Sequence, residues 1–444
     1  MQPETLDQIR NAIKAAQKEE KPVCISGTRH AMGGQQFLAD GLMIDTRRMN
    51  KVLGFDAEKG HVEVEAGIQW PQLQQQLIAL QKGREQQWTF AQKQGADKLT
   101  LGGCIAANIH GRGLRMPPFI ADVESFRLLN ARLEIVNCSR TENPELFRLV
   151  IGGYGLFGLV TSLTLRLVAR RKLERAVEVR SVDGLPKAFA ERMADGFLYG
   201  EFQYAVDETP DDYLRRGVFT CYRPVDPATP VPPNQKELHE RDYVELLTLA
   251  HHAKGEAFRR YAGHAISTNG QIYWSDEAQM GVYPENYHRA LDQRVGAQVR
   301  ASEATTEIYC ERDALERFMA EVRDYARRDK VDIIYGSIRL IEQDRESFLA
   351  WARKPFACVS FNVHVEHTTS GLIKAGDVLR RLVDIGLKYG GSYYPTYNRY
   401  ALRRQVDACY PQMQEFLKLK LKHDPQKLYQ SEWFRHYERM YEKK

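Results

Sequence analysis

Ten residues near the N-terminus carry the first chemistry in the sequence: Ser26-Gly27-Thr28-Arg29-His30-Ala31-Met32-Gly33-Gly34-Gln35. Glycines and small residues let the backbone turn tightly and come close to a ligand. Successive N–H groups in such a turn form a concave nest for an anion such as a pyrophosphate. The stretch is not a nicotinamide fingerprint, because no G-x-G-x-x-G opens a helix, and no Gly-Lys-Ser/Thr follows as in a Walker loop. Taken alone it reads equally as a plain structural turn. A second stretch, Thr100-Leu101-Gly102-Gly103-Cys104-Ile105-Ala106-Ala107-Asn108-Ile109-His110-Gly111-Arg112-Gly113, keeps small residues where side chains would block a flat ligand. A third, from Gly152 to Thr161, leads into an alternating strand. No spacing of His, Asp and Glu around His30 or His110 supports a metal site.

The elements that must position these stretches follow from periodicity. The apolar run 22–25 reads as a buried strand that delivers the first turn. Residues 4–19 read as an amphipathic helix, 42–45 and 61–65 as strands, and 70–80 as a helix. Residues 123–129 and 133–136 read as a strand pair, 145–150 as a short helix, and 159–167 as a strand. The run Arg170-Arg171-Lys172 reads as a solvated charged linker, so a domain boundary is placed there. The stretch 205–260 is less legible and yields at least one short strand, at 218–221, and a proline-rich loop at 224–233. From residue 305 the order is strand, helix, strand, strand, helix, with a last strand at 392–394. That order is a ferredoxin-like split unit. The tail, 400–444, carries two helical pieces broken at Pro411, and its Lys418, Lys420 and Lys422 read as a basic surface.

Composition bounds the class. A chain of 444 residues exceeds what one hydrophobic core organises. Lys and Arg number 63 against 58 Asp and Glu, a net charge of +5 with both signs interspersed, which does not call for a nucleic-acid partner. No apolar run is long enough for a transmembrane segment. Seven scattered cysteines with no C-x-x-C, and no visible signal peptide, suit a cytoplasmic protein with free thiols.

The three small-residue stretches, in this order and at these separations, resemble the FAD-binding domain of the vanillyl-alcohol oxidase / p-cresol methylhydroxylase superfamily. The nearest patterns are alditol, aldonolactone and decaprenylphosphoryl-ribose oxidases. The resemblance covers roughly residues 5–170 and the tail around Asp424-Pro425. It implies an α+β architecture: a two-subdomain FAD-binding domain of the p-cresol methylhydroxylase type (1–170), a ferredoxin-like α+β cap (171–395), and a C-terminal segment (396–444) returning to the first domain. It implies FAD as cofactor. Ser26, Gly27, Thr28, Arg29, His30, Ala31 and Met32 would wrap the pyrophosphate, and Gln35 matches a glutamine that contacts FAD. Thr100, Leu101, Gly102, Gly103, Ala106, Asn108, His110 and Gly111 would line the isoalloxazine and ribityl chain, and Val160 the adenine side. His30 stands where many relatives attach the flavin covalently through a histidyl bond, although Ala31 departs from the serine often found beside it.

The same resemblance places Arg339, Asn362 or His364, and Tyr394 and Tyr397, over the substrate side of the flavin. Arg339 matches the family's arginine, a cation able to stabilise charge developing on reduction. Ser337 stands where a glutamate is expected and Tyr397 where a lysine is common. His364 is the expected base, because an imidazole titrates near working pH. In the superfamily the position of Ile109 lies near the flavin and bulk there goes with restricted oxygen access, so a stiff, bulky isoleucine implies a dehydrogenase over an oxidase. The implied activity is oxidation of an alcohol carbon of a small-molecule sugar, polyol or lactone-like substrate. Amine or alkene chemistry on the same fold, or a flavin-binding subunit of a redox complex, are the alternatives. Substrate, electron acceptor and oligomeric state stay open at this level.

Overall fold

The computed structural model describes residues 1–282 and 284–442. Its first half is built on a six-stranded sheet in the order Val52–Asp56, His61–Glu65, Leu159–Ala169, Val123–Leu129, Ile135–Ser139, with Trp88–Phe90 added to Leu159–Ala169. Beside it, Val23–Ser26 and Leu42–Asp45 form a parallel pair. The helix Leu6–Lys18 starts on Thr5, whose hydroxyl accepts from the Gln8 N–H, and buries Ile9, Ile13 and Ala16. The helix Trp70–Leu80 buries Trp70, Leu73 and Leu77, as its period demands. The second strand of the 123–139 pair begins later than its residues suggest. Leu133 takes a positive φ inside an Asn130–Glu134 turn, and the strand starts at Ile135.

The second half carries a seven-stranded sheet: Ile272–Trp274, Lys172–Ser181, Arg216–Pro224, Tyr199–Tyr204, Ile333–Ile341, Phe356–Glu366, Ala301–Glu311. Its pairings are antiparallel throughout. Strand period two gives the sheet two unlike faces. One packs Phe202, Phe219 and Ile338 against the helices Leu185–Ala194, Leu315–Arg328 and Thr369–Lys388. The other carries Arg175, Tyr222, Glu201, Arg339, Ser360 and Glu307, one or more from each of six strands, and faces the first half.

Two expectations are corrected here, for 170–172 and 392–394, and one, for 205–260, is extended. The run 170–172 is not a solvated linker. Arg170 is 8% exposed, paired to Asp276 at 2.9 Å and stacked on Trp274, and Lys172 already begins a strand. The stretch 205–260 holds the long strand Arg216–Pro224 and the helices Glu240–His252 and Lys254–Ser267, which lie over the polar face. Residues 392–394 form only a bridge, Tyr393 to Ile308, because Pro395 has no N–H to extend a ladder.

The tail closes on the first half. The Val23 N–H donates to the Leu428 carbonyl at 2.7 Å and the Gln430 N–H to the Val23 carbonyl at 2.9 Å. Asp424 accepts from the N–H groups of Leu428 and Tyr429 and pairs with Lys420. Lys420 is therefore interior, not part of a basic surface. All seven cysteines are free and buried. Among the described residues no helix is long and apolar enough to cross a membrane.

Candidate active site

A cavity of about 940 Å³ runs between the two halves. The strand Val23–Ser26 ends at its wall, and the turn after it bends through Arg29 at φ +63°. Gly27 is required at this bend. A Cβ there would meet Thr100 Oγ1 at 2.1 Å. Thr100 is itself fixed, since its hydroxyl accepts from the Gly103 N–H and caps the helix Leu101–Ala107.

The backbone N–H groups of Gly27, Thr28, Arg29 and Ala31 donate to no other group among the described residues, which leaves them for an anion. The nest ends sooner than expected. The N–H groups of Met32 and Gly33 are both spent on the Thr396 carbonyl, at 3.2 and 3.0 Å. Arg29 turns its side chain to Asp45 at 3.4 Å. Gln35 ties the turn to the far side of the cleft, its amide donating to the carbonyls of Pro395 and Thr396.

The helix Leu101–Ala107 presents Gly102, Gly103 and Ala106 to the cavity, with Ile105 and Ala107 also in its wall, and buries Leu101 and Cys104 behind them. A flat ligand can lie against that face. Val160 lines the same cavity. Fit to a polar dinucleotide is supported by three buried polar atoms on the wall without partners: Ser26 Oγ, Gln35 Oε1 and Gln36 Oε1. His30 also lines the cavity, and burial holds its imidazole below its usual value, favouring the neutral, nucleophilic form.

Leu101, Asn108, His110 and Gly111 stand outside this lining and act through others. Asn108, in a left-handed conformation, donates to Asp344 at 2.8 Å and accepts from the Ile120 N–H. His110 Nε2 meets Glu307 Oε2 at 2.8 Å. Cys358 completes a buried group with these two, within 4.8 Å, and the direct His110–Glu307 bond satisfies the nitrogen and the carboxylate.

On the polar sheet face, Arg339 and Arg112 grip Glu201 from either side, at 3.1 and 2.9 Å. Burial alone would raise the Glu201 carboxyl, but the two guanidiniums outweigh it and hold it at about 2. Arg339 thus pairs with Glu201 and not with Glu342, which is taken by Arg312. Ser337 bonds Ser360 across strands, and Ser360 lies in register with Glu307 on the next strand. The carboxylate missing at 337 is present in the same row at 307. Burial would raise Glu307 too. His110, Arg339 and the Tyr397 hydroxyl, which donates to Oε1 at 3.2 Å, outweigh that and hold it ionised.

Asn362 lines the cavity, accepting from Thr305 at 2.6 Å. Tyr394 lines it with its hydroxyl fixed on the Ala107 carbonyl at 2.7 Å. His364 does not line it. One pleat beyond Asn362, its ring packs edge-on against His251 at 5.1 Å, so it is withdrawn as the base. Glu201 and Glu307 escaped the sequence reading, yet each had a signal: Glu201 is the lone acid of its strand, and Glu307 is an acid among the apolar and small residues of an alternating strand.

Residues 1–139 match the FAD binding domain family. The chain is 32% identical over 187 residues to L-galactono-1,4-lactone dehydrogenase 1, mitochondrial, of Oryza sativa subsp. japonica, a match covering 42% of this chain and 31% of that protein. It is 30% identical over 174 residues to L-gulonolactone oxidase of Bos taurus, covering 39% and 38%. It is 28% identical over 166 residues to Cytokinin dehydrogenase 3 of Oryza sativa subsp. japonica, covering 36% and 30%. The match thus spans about a third of the length of each relative. Residues 1–139 are thus similar to an FAD-binding domain, which supports FAD as the cofactor.

Proposed function

We propose that this chain is an FAD-dependent oxidoreductase that oxidises an alcohol carbon of a sugar, polyol or lactone-like substrate, and that it works as a dehydrogenase. The observation that carries the reading is the single cavity shared by the cofactor cradle (27–31, 102–106) and the polar row of the opposite sheet. A substrate on that row would lie against the ring system of the cofactor, between Arg339 and Tyr397.

FAD, when bound, supplies the two-electron acceptor for a hydride. The chain's own part is proton handling and charge. Tyr397 takes the substrate's hydroxyl proton as it passes its own to Glu307, and His110 holds that carboxylate ionised and oriented. Arg339, steadied by Glu201, faces the negative charge that develops. Asn362 and Tyr394 position the substrate, and Ile109, buried in the wall, limits oxygen access. His30 is the attachment point if the flavin is covalent. The order of Ala301–Glu311, Phe356–Glu366 and Ile333–Ile341 supports a split, ferredoxin-like cap over 171–395, with 1–170 and 396–444 forming the cofactor domain.

The test is anaerobic mixing of the holoprotein with L-galactono-1,4-lactone, L-gulono-1,4-lactone and a panel of alditols. Bleaching of the visible flavin band by one of them supports the reading. A flavin that no alcohol or lactone in the panel reduces, while dithionite does, contradicts it.

A further inference from the structure

The cavity does not stop at Arg339. It continues under the helices Glu240–His252 and Lys254–Ser267, along the polar face, to the strand Lys172–Ser181. There Arg175 stands directly across from Tyr222 in register. Its guanidinium lies 5.9 Å from the Tyr222 ring centre. Tyr261, from the covering helix, and Tyr273, from the edge strand, line the same end.

Arg175 has no carboxylate partner among the described residues, and its buried Nε has no hydrogen-bond partner. The nearby acids are engaged elsewhere: Glu174 with Arg223 at 2.6 Å, Glu277 with Arg170 at 3.3 Å, and Asp242 at the start of its helix with the His239 N–H at 2.8 Å. Glu237 lines the cavity but makes no ion pair with Arg175. Lys236 and His264 line this end as well. A part-buried guanidinium without a counter-ion is costly, and the other cavity arginines are all paired, Arg112 and Arg339 to Glu201 and Arg29 to Asp45. A cation that meets tyrosine rings and hydroxyls but no carboxylate has the chemistry of an anion anchor.

We propose that Arg175, with Lys236 beside it, forms a second subsite that binds an anionic group of the substrate, so that the substrate is an acidic saccharide or polyol. This rests on the oxidoreductase reading above. The alcohol carbon lies at the Arg339–Tyr397 end, and a carboxylate or phosphate lies at Arg175. Three strand spacings separate the Arg175 and Arg339 strands, about 14 Å, the reach of two sugar rings. The rings of Tyr222, Tyr261 and Tyr273 offer stacking faces and hydroxyls to the intervening sugar.

The test is calorimetric titration of the holoprotein with matched pairs: cellobionate against cellobiitol, and trehalose 6-phosphate against trehalose. Wild-type protein is expected to bind one anionic member about tenfold more tightly than its neutral match. The pair that shows the preference identifies carboxylate or phosphate as the group. Arg175→Gln is expected to abolish the preference and Arg175→Lys to keep part of it. Flavin content and thermal midpoint report whether each variant is folded. No preference in either pair, or a preference that survives Arg175→Gln, overturns the subsite. Failure of the oxidoreductase reading would appear separately, in flavin that no substrate reduces, because calorimetry needs no turnover.

Discussion

The hydroxyl of Tyr397 donates to one oxygen of Glu307 at 3.2 Å, and His110 meets the other at 2.8 Å. Three side chains from separate parts of the chain thereby make one hydrogen-bonded row that ends at the cavity, the proton path of the proposed reaction. Glu307→Gln keeps the shape and removes the acceptor. It is expected to slow flavin reduction by substrate on the order of a hundredfold, read by anaerobic stopped flow. Tyr397→Phe is expected to lower the same rate in the same direction. His364→Ala, outside the cavity, is expected to leave it near wild type; a hundredfold loss there would return the base to His364.

Glu201 joins Arg112 and Arg339. Glu201→Ala leaves two guanidiniums facing each other without a counter-ion, and is expected to cost about 3 kcal/mol, read by denaturant titration. The pH dependence follows from the same pair. The folded carboxyl sits at about 2 against an ordinary 4.5. The native state therefore binds fewer protons than the unfolded chain between those values, so stability is full above about pH 4.5 and falls as pH drops towards 2. Glu201→Gln is expected to flatten that part of the acid-unfolding profile.

Gly27 leaves no room for a Cβ, with Thr100 Oγ1 2.1 Å from where one would sit. Gly27→Ala is expected to displace the Thr100 cap and distort the nest. FAD affinity is expected to fall about tenfold or more, measured by flavin retention on dialysis and titration back. Unchanged affinity would mean that the 27–31 turn does not hold the pyrophosphate.

Ile109, 4% exposed, stands in the cavity wall. Ile109→Ala is expected to raise the rate at which oxygen reoxidises the reduced protein, followed as flavin colour returns after mixing with aerated buffer. A wild-type protein that already reoxidises as fast with oxygen as with a dye would make it an oxidase.

Much of this was legible in the sequence because local pattern decided it. The strand 61–65 and the helix 70–80 fall where their periods put them. The small residues at 102, 103 and 106 face the cavity because helical spacing leaves them on one side. The misses have a common physical cause. Lys420 has the composition of a surface residue but is buried by Asp424, which the chain brings beneath it one turn later. Arg170 looks solvated until Asp276 and Trp274 arrive from a hundred residues away. Glu307 supplies a carboxylate to a row whose other members, Ser337 and Ser360, lie on different strands, so no linear motif records it. His364 and Asn362 share one strand face, and only the depth of the cavity separates them.

The central claim is a flavin held between the 27–31 turn and the 102–106 helix face. The most direct measurement is the visible absorption spectrum of the purified protein, followed by acid precipitation. The account predicts a yellow protein with one FAD per chain. If the precipitate keeps the colour, His30→Ala is expected to release it to the supernatant. A colourless protein that takes up no added FAD would contradict the account.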